Sequence, residues 1–314
     1  MLCPLCLNDV KFNSYQCPDC KQNADPMYVQ GYGQYPPVVV NAIGFRQHGK
    51  TVYFAALFYL LKELAHVWDK FYATPLSEKA IETIKANVAL LQSGTLPDAT
   101  PKNFPQPTVV RVKGVPDQQS CSLLFYDTGG ECFEKASNLV QYAKFVGRAR
   151  TAMFLVSIPN LEDPAAEMDH LINSYLIGMA ELKADISNQH LVVVYTKGDD
   201  LLGRFKGQWG DLLDYLIEGS IDRLADPARY IRRMGQVSNR LREFTSKELG
   251  ADDFLHKVTD NFRSVSFSVI SSLGAHPQGR TLSSQIVPRR VLDPLLWMME
   301  RSLPGWKQAM RRWF

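Results

Sequence analysis

Two residue patterns in this chain carry chemistry on their spacing alone. The first is Cys3-Pro4-Leu5-Cys6 followed by Cys17-Pro18-Asp19-Cys20. Two residues lie between the cysteines of each pair, so one tight turn can aim both sulfurs at a point. Two such pairs supply the four thiolates of a closed tetrahedral Zn²⁺ site. Only ten residues separate the pairs, too few to bury a core, so the metal must hold the ribbon together. With four protein ligands no position is open, and the zinc reads as structural. Thiol–disulfide exchange, the other chemistry of a Cys-x-x-Cys pair, needs a flanking βαβ pattern that is absent here.

The second pattern is Gly44-Phe45-Arg46-Gln47-His48-Gly49-Lys50-Thr51, which fits G-x-x-x-x-G-K-[ST] at every fixed position. It follows the β-branched run Val38–Ile43 and precedes Val52–Trp68, where Leu57, Leu60, Leu61, Leu64 and Trp68 recur at helical spacing. Strand, loop and helix are the context that such a phosphate loop requires. Its glycines let successive backbone N–H groups curl around phosphate oxygens, and the helix N-terminus adds partial positive charge. Lys50 is placed to reach the β- and γ-phosphates, and Thr51 to offer a hydroxyl to Mg²⁺.

Three more strands end in polar loops. Leu123–Tyr126 runs into Asp127-Thr128-Gly129-Gly130-Glu131, where an acid can hold Mg²⁺ and a glycine can present an N–H to the γ-phosphate. Leu191–Tyr195 runs into Thr196-Lys197-Gly198-Asp199. The Asp199 carboxylate can accept both N–H groups on guanine's N1 and N2 edge, a donor pair that adenine lacks, while the Lys197 stem lies along the base. An unpaired buried acid is costly, which sets ATP aside. Val265–Ile270 runs into Ser271-Ser272-Leu273-Gly274, placed for backbone contact with the guanine carbonyl.

The ordered series GxxxxGKT, DTGG, TKGD and SSLG resembles the guanine-nucleotide motifs of Ras-like and translation-factor-class P-loop GTPases, over roughly residues 38–300. The cysteine ribbon, the aromatic segment after it and Arg290-Val-Leu-Asp-Pro-Leu-Leu-Trp297 further resemble bacterial double-GTPase-type proteins, thought to act as GTP-dependent regulators in conflict or signalling systems. The resemblance implies a GTP/GDP site with Mg²⁺. Its nucleotide-binding residues are Gly44, Arg46, Gln47, His48, Gly49, Lys50, Thr51, Val52, Asp127, Thr196, Lys197, Asp199, Ser271, Ser272 and Leu273. Lys50, Thr100, Gly130 and Glu131 take the catalytic roles, and Thr51, Thr100 and Asp127 hold Mg²⁺. Two positions depart from the family pattern. Glu131 stands where Gln commonly orients the attacking water, so a carboxylate faces the γ-phosphate and slow intrinsic turnover is expected. Thr196 replaces the commoner Asn, keeping one hydroxyl to tie the base loop to the phosphate loop.

The family also implies a threonine that closes on Mg²⁺. Ser93–Pro101, dotted with proline and free of helical period, reads as the mobile segment carrying it. Thr100 is the first choice and Thr95 the second. A transition-state cation could come from Arg46, Arg148, Arg150 or a partner's arginine. The His48 side chain could meet phosphate, although a backbone role suits its position better.

The elements that must position these groups follow in order. Beyond those above, Thr108–Val112 and Ala152–Ser157 read as strands and residues 164–186 as a helix with Met168, Leu171, Ile172 and Tyr175 inward. The expected fold is α/β, a P-loop NTPase (Ras-like) with a mostly parallel sheet flanked by helices and the site at the strand C-termini. The expected organisation is a zinc ribbon at 1–22, a linker at 23–37, a GTPase domain at 38–303 with a helical insertion near 203–263, and a tail at 304–314. Cys121 and Cys132 read as buried small hydrophobes. Asp293-Pro294 reads as the start of a helix over Leu295–Leu303.

Composition narrows the partners. Of 314 residues, 46% are hydrophobic and 21% charged, the balance of a folded chain with a real core. Net charge is only +3, too small for a generic nucleic-acid binder; residues 280–314 hold seven basic against two acidic side chains, so any basic binding surface is expected at the C-terminal end. The tail sets Trp306, Met310 and Trp313 opposite Lys307 and Arg311. It suits peripheral contact with an anionic membrane, a partner groove, or docking on its own domain. Protein partners are expected as effector or activator, and a homodimer across the nucleotide face fits the class. No apolar run approaches the ~20 residues that cross a bilayer. Cys3 opens a cysteine motif where a secretory leader would lie, so a cytoplasmic location is expected, with membrane contact from the inner face.

Overall fold

The computed structural model describes residues 1–301 apart from 161, 219–220 and 283–284. The tail at 304–314 and the end of the helix read to Leu303 therefore lie outside the described residues.

The chain begins with the two cysteine turns. Helix α1 (Pro26–Gly31) follows, started by Asp25, whose side chain accepts from the N–H groups of Met27 and Tyr28, with proline at the first helical position. The α/β body then runs β1 (Pro37–Asn41), α2 (Lys50–Glu63), β2 (Tyr72–Pro75), α3 (Glu78–Gln92), β3 (Thr108–Lys113), β4 (Cys121–Tyr126), α4 (Ala136–Tyr142), β5 (Thr151–Val156) and α5 (Pro164–Glu181). It continues with β6 (His190–Tyr195), α6 (Gly210–Ile217), α7 (Pro227–Lys247), α8 (Asp252–Asn261), β7 (Ser264–Val269) and α9 (Asp293–Arg301).

Four strands pair in the order β1-β4-β3-β2, and three in the order β5-β6-β7. The two sets meet at a parallel bridge between Ile43 and Phe154. Asn41 stitches them: its side-chain amide donates to Thr151 O and its carbonyl accepts from Met153 N, both at 3.0 Å. A buried side chain thus takes the place of ladder bonds where β1 and β5 separate. Losing it would leave two buried backbone groups unpaired, at roughly 1–3 kcal/mol each. Five neighbouring strands, β4, β1, β5, β6 and β7, run parallel; β3 runs against β4, and β2 against β3. Strands β4, β5 and β6 are buried at every residue, which is why each reads as a continuous apolar run.

Helix α2 is buried on most of its circumference, with Tyr53, Phe54, Ala55, Ala56, Leu57, Phe58 and Leu61 inside. Tyr175 of α5 packs edge-on against Phe154 and stacks on Phe262. The 203–263 region holds α6, α7 and α8; Trp68 Nε1 donates to Leu224 O at 2.8 Å and Ser238 Oγ accepts from Phe267 N at 2.9 Å, so it is fastened to the sheet body. Among the described residues no helix is long and apolar enough to cross a membrane.

The linker reading of Asn23–Pro37 needs correction. Part of the segment is α1, and Tyr28, 1% exposed, donates its hydroxyl to Leu2 O at 2.7 Å. Arg111 of β3 donates to Met27 O at 2.7 Å and lies over the Tyr35 ring. Tyrosines that read as linker composition are the packing surface between ribbon and sheet. Segment β2–α3 carries no assignment from sequence, although the Ser77 cap and the inward Ala80, Ile84, Val88 and Leu91 have helical spacing.

Candidate functional site

The polar loops following β1, β4, β6 and β7 gather at the C-terminal edge of the sheet, where α/β proteins bind ligands. The phosphate loop is fixed from below. A Cβ on Gly44 would sit 2.5 Å from Leu155 O, so only glycine lets β1 turn this close to β5. Gln47 and Gly49 take positive φ, 63° and 79°, the left-handed conformation from which concave nests of backbone N–H groups are built. Lys50 is 6% exposed and donates to Gly44 O and Phe45 O, both at 2.9 Å. Burial lowers its pKa to about 8, with Asp127 and Glu131 as the nearest opposing charges. Val52 continues α2, half-buried, behind the loop.

The His48 ring turns inward, against β5. It is 3% exposed with Nδ1 2.8 Å from Leu155 O, and burial drives its pKa down to about 4, so the neutral ring is the donor. His48 serves the loop through its backbone: His48 O accepts from Thr196 Oγ1 at 3.1 Å. One hydroxyl thereby ties the loop after β6 to the phosphate loop.

Thr51, Thr100 and Asp127 meet beside Lys50. Thr51 Oγ1 lies 2.6 Å from Thr100 Oγ1, and Thr100 donates to Asp127 Oδ2 at 3.1 Å. Asp127 Oδ1 is sealed from solvent without a hydrogen-bond partner, and burial raises the carboxyl's pKa. Two hydroxyls and a carboxylate are hard oxygen donors of the kind Mg²⁺ takes, and a buried carboxylate oxygen without a partner asks for a cation. These residues fit the metal.

The 93–101 segment is less free than its composition suggests. Leu96 N donates to Arg280 O and Leu282 N to Gly94 O, at 2.9 and 2.8 Å, and Arg280 pairs with Asp98 at 2.7 Å. The backbone of Thr95 is engaged in this bridge with Thr281, which leaves Thr100 as the threonine at the Thr51–Asp127 cluster.

Glu131 is not a lone carboxylate. Arg46 Nη2 lies 2.5 Å from Glu131 Oε1, and the guanidinium holds the Glu131 carboxyl below its ordinary pKa. Gly130 abuts the phosphate loop so closely that a Cβ would fall 2.3 Å from Arg46 N. Arg148 and Arg150 are elsewhere: Arg148 pairs with Asp9 of the ribbon at 3.1 Å, and Arg150 precedes β5 at the opposite edge of the sheet.

Where β6 and β7 end, Asp199 accepts a short hydrogen bond from Ser271 Oγ, and Ser271 Oγ accepts from Gly274 N at 2.9 Å. Gly198 N donates to Ile270 O at 2.8 Å, locking the loops after β6 and β7 together. Lys197, half-buried with φ 55°, has its pKa lowered by that burial. Ser272 is half-buried, and Leu273 O accepts from Val287 N at 2.8 Å. A contact of 3.0 Å between His276 Nδ1 and Asp200 Oδ2 adds a second clasp between these loops.

The four cysteine sulfurs lie within 4.8 Å of one another, with contacts of 4.0 Å (Cys3–Cys20) and 3.7 Å (Cys6–Cys17). Four thiolates around zinc at ~2.3 Å stand about 3.8 Å apart, so the cluster fits the ion. Each turn repeats the other: Leu7 N donates to Cys3 O as Lys21 N does to Cys17 O, with Leu7 and Lys21 both at positive φ. Tyr126, the residue before Asp127, donates to Pro4 O at 2.6 Å and so docks the ribbon on β4.

Sequence reading missed Asn41, Tyr126 and the Arg46–Glu131 pair. It also left unexplained why Asp293 sits within the 290–297 segment. That carboxylate is buried and accepts from Tyr215 and Tyr230 hydroxyls at 2.5 and 2.6 Å, beneath Arg290, whose guanidinium lies 3.7 Å from the Tyr215 ring centre. The segment clasps α6 and α7 onto the body. An aspartate followed by proline gives only a helix-start signal in sequence.

The model of the family Double-GTPase 2 matches residues 38–266 of this chain. No curated protein matches it in sequence. Similar solved structures include the S. cerevisiae Ski7 GTPase-like domain bound to GDP and inorganic phosphate, at 14% identity and TM-score 0.34, covering 87% of this chain and 51% of that one. Methanosarcina barkeri Roco2 RocCORdC bound to GDP is similar at 12% identity and TM-score 0.32, covering 75% of this chain and 43% of that one. A sup35 structure complexed with GDP is similar at 13% identity and TM-score 0.31, covering 80% and 41%. The chain spans about half the length of these structures or less.

Proposed function

The chain belongs to the Double-GTPase 2 family, and on that premise we propose that it is a Mg²⁺-dependent, GTP-hydrolysing switch with slow intrinsic turnover. The observation that carries this reading is the meeting of Thr51, Thr100 and Asp127 beside Lys50, with one buried Asp127 oxygen unmatched. Thr100 comes from a segment 49 residues beyond Thr51, and no local folding requirement brings the two hydroxyls together.

In this reading Lys50 and the loop N–H groups bind the β- and γ-phosphates, and Gly130 offers its N–H from the far side. Thr51, Thr100 and Asp127 hold Mg²⁺, which when bound offsets charge on the β- and γ-phosphate oxygens. Asp199 accepts the two guanine donors with its direction set by Ser271, and Thr196 keeps base and phosphate ends in register. Loss of the γ-phosphate frees Thr100 and the segment after Gly130, the order-to-disorder change that partners read. Zn²⁺ at Cys3, Cys6, Cys17 and Cys20 is structural. A protein effector or activator, a homodimer, a cytoplasmic location and membrane contact through residues 304–314 belong to the same proposal.

Glu131, held by Arg46, favours a second reading, a GTP-binding assembly module that hardly hydrolyses. Titration of GDP, GTP, ADP and ATP with and without Mg²⁺, followed by single-turnover GTP hydrolysis, separates the two. The switch reading expects guanine selectivity and measurable hydrolysis that requires Mg²⁺. Tight GTP binding without turnover selects the assembly module, and equal affinity for adenine nucleotides ends both.

A further inference from the structure

The phosphate loop and the segment after β4 each contribute one charge to an ion pair at the point where a third phosphate would arrive. Arg46 is the third residue of the loop and its side chain is 67% exposed; Glu131 follows the glycine that abuts the loop backbone. The Glu131 backbone is fixed: Asn138 donates to its carbonyl at 2.9 Å, and Cys132 N closes a turn on Gly129 O at 3.1 Å. The turn therefore keeps the Glu131 backbone beside the loop, and the ion pair with Arg46 holds its carboxylate there. Nearby, a Cβ on Gly129 would fall 2.6 Å from Glu131 Oε2 and 2.9 Å from Thr100 O. Glu131, Thr100 and the loop thus converge on one small volume. Lys50 is the other cation acting on Glu131, and it is already committed to the loop carbonyls.

A γ-phosphate placed past Lys50 toward Gly130 brings negative charge against this carboxylate. We propose that Arg46 is the residue that sets GTP against GDP: paired with Glu131, it offsets the carboxylate that would otherwise repel the γ-phosphate, and it serves both anions once GTP is bound. This rests on the nucleotide reading given above. GDP carries no group into that volume and is indifferent to the pair. The two charges consequently act as a unit, and the value of Arg46 depends on Glu131 being present.

The test is a double-mutant cycle on the full chain with zinc and Mg²⁺ supplied, using GDP and the β,γ-imido analogue of GTP as probes. Arg46→Ala is expected to weaken the analogue about tenfold while GDP stays within about twofold of wild type. Adding Glu131→Gln to Arg46→Ala should restore the analogue to within about threefold of wild type, and Arg46→Lys should keep most of the affinity. Urea unfolding of each variant, run beside the titration, shows that it is folded. An equal loss for both nucleotides, or a double variant as weak as Arg46→Ala alone, overturns the role of the pair. A wild-type chain that binds no guanine nucleotide overturns the underlying reading instead, and the two failures are told apart by the wild-type titration.

Discussion

Acid should weaken this fold in part through one buried ring in the phosphate loop, that of His48. His48 is 3% exposed, bonded through Nδ1 to Leu155 O, and burial holds its pKa near 4 against an ordinary 6.5. The folded-state value is the lower one, so between pH 6.5 and 4 the unfolded chain takes up the proton and the folded chain does not. Stability from this ring is whole above pH 6.5, falls by up to ~1.4 kcal/mol per pH unit as the pH drops, and levels off near pH 4. Over the full window the loss is about 3 kcal/mol. The assay is urea unfolding without nucleotide, from pH 8 to 4, on wild type and His48→Gln, with the difference between them plotted against pH. The difference removes what both chains share, including zinc release from the cysteines and the titration of His190, which burial also lowers to about 4. Wild type should hold its largest advantage near neutrality and lose about 3 kcal/mol of it by pH 4. A difference that stays flat refutes the argument that the buried neutral ring stabilises this loop.

Asp199→Asn exchanges the acceptor for the guanine edge and the partner of Ser271; GDP affinity should fall about 10- to 100-fold by calorimetry, with ADP as weak as before. Chelation should release one Zn²⁺ per chain and expose four reactive thiols, while Cys121 and Cys132, 5% and 0% exposed, stay protected from a thiol reagent until the chain unfolds. If all six thiols react together, the ribbon is not an independent metal-held unit. Tyr230→Phe removes one of two hydroxyls from buried Asp293 and should cost about 1–3 kcal/mol in thermal or urea unfolding, with faster amide exchange in α6 and α7. No change in either would mean that the 290–297 clasp does not fasten those helices.

The strands that the chain spells as continuous apolar runs, β4, β5 and β6, are those buried on both faces, so their burial is legible without neighbours. Strand β2 has four residues, one a proline, half-exposed at the edge of the sheet; its pairing with β3 leaves no comparable mark. Helix α1 hid behind linker-like composition because Tyr28 within it and Tyr35 just after it pack on partners that lie before and after the segment.

Two features of the site follow from consecutive residues alone. The cysteine turns and the phosphate loop are each built by neighbouring backbone groups, whose geometry is fixed by a few φ, ψ choices and by which side chains permit them. A reader of residues 3–20 or 44–51 has all the parts in hand. The rest depends on how the sheet is ordered. Thr100 rather than Thr95 reaches Thr51 because the 94–96 backbone is occupied by 280–282, and Arg46 finds Glu131 across 85 residues because β4 lies beside β1. Asn41 bridges to β5 across 110 residues, where no spacing in the chain announces a partner. Contacts between loops are decided by strand order, since a crossover can carry a residue to any edge of the sheet while leaving its local sequence unchanged.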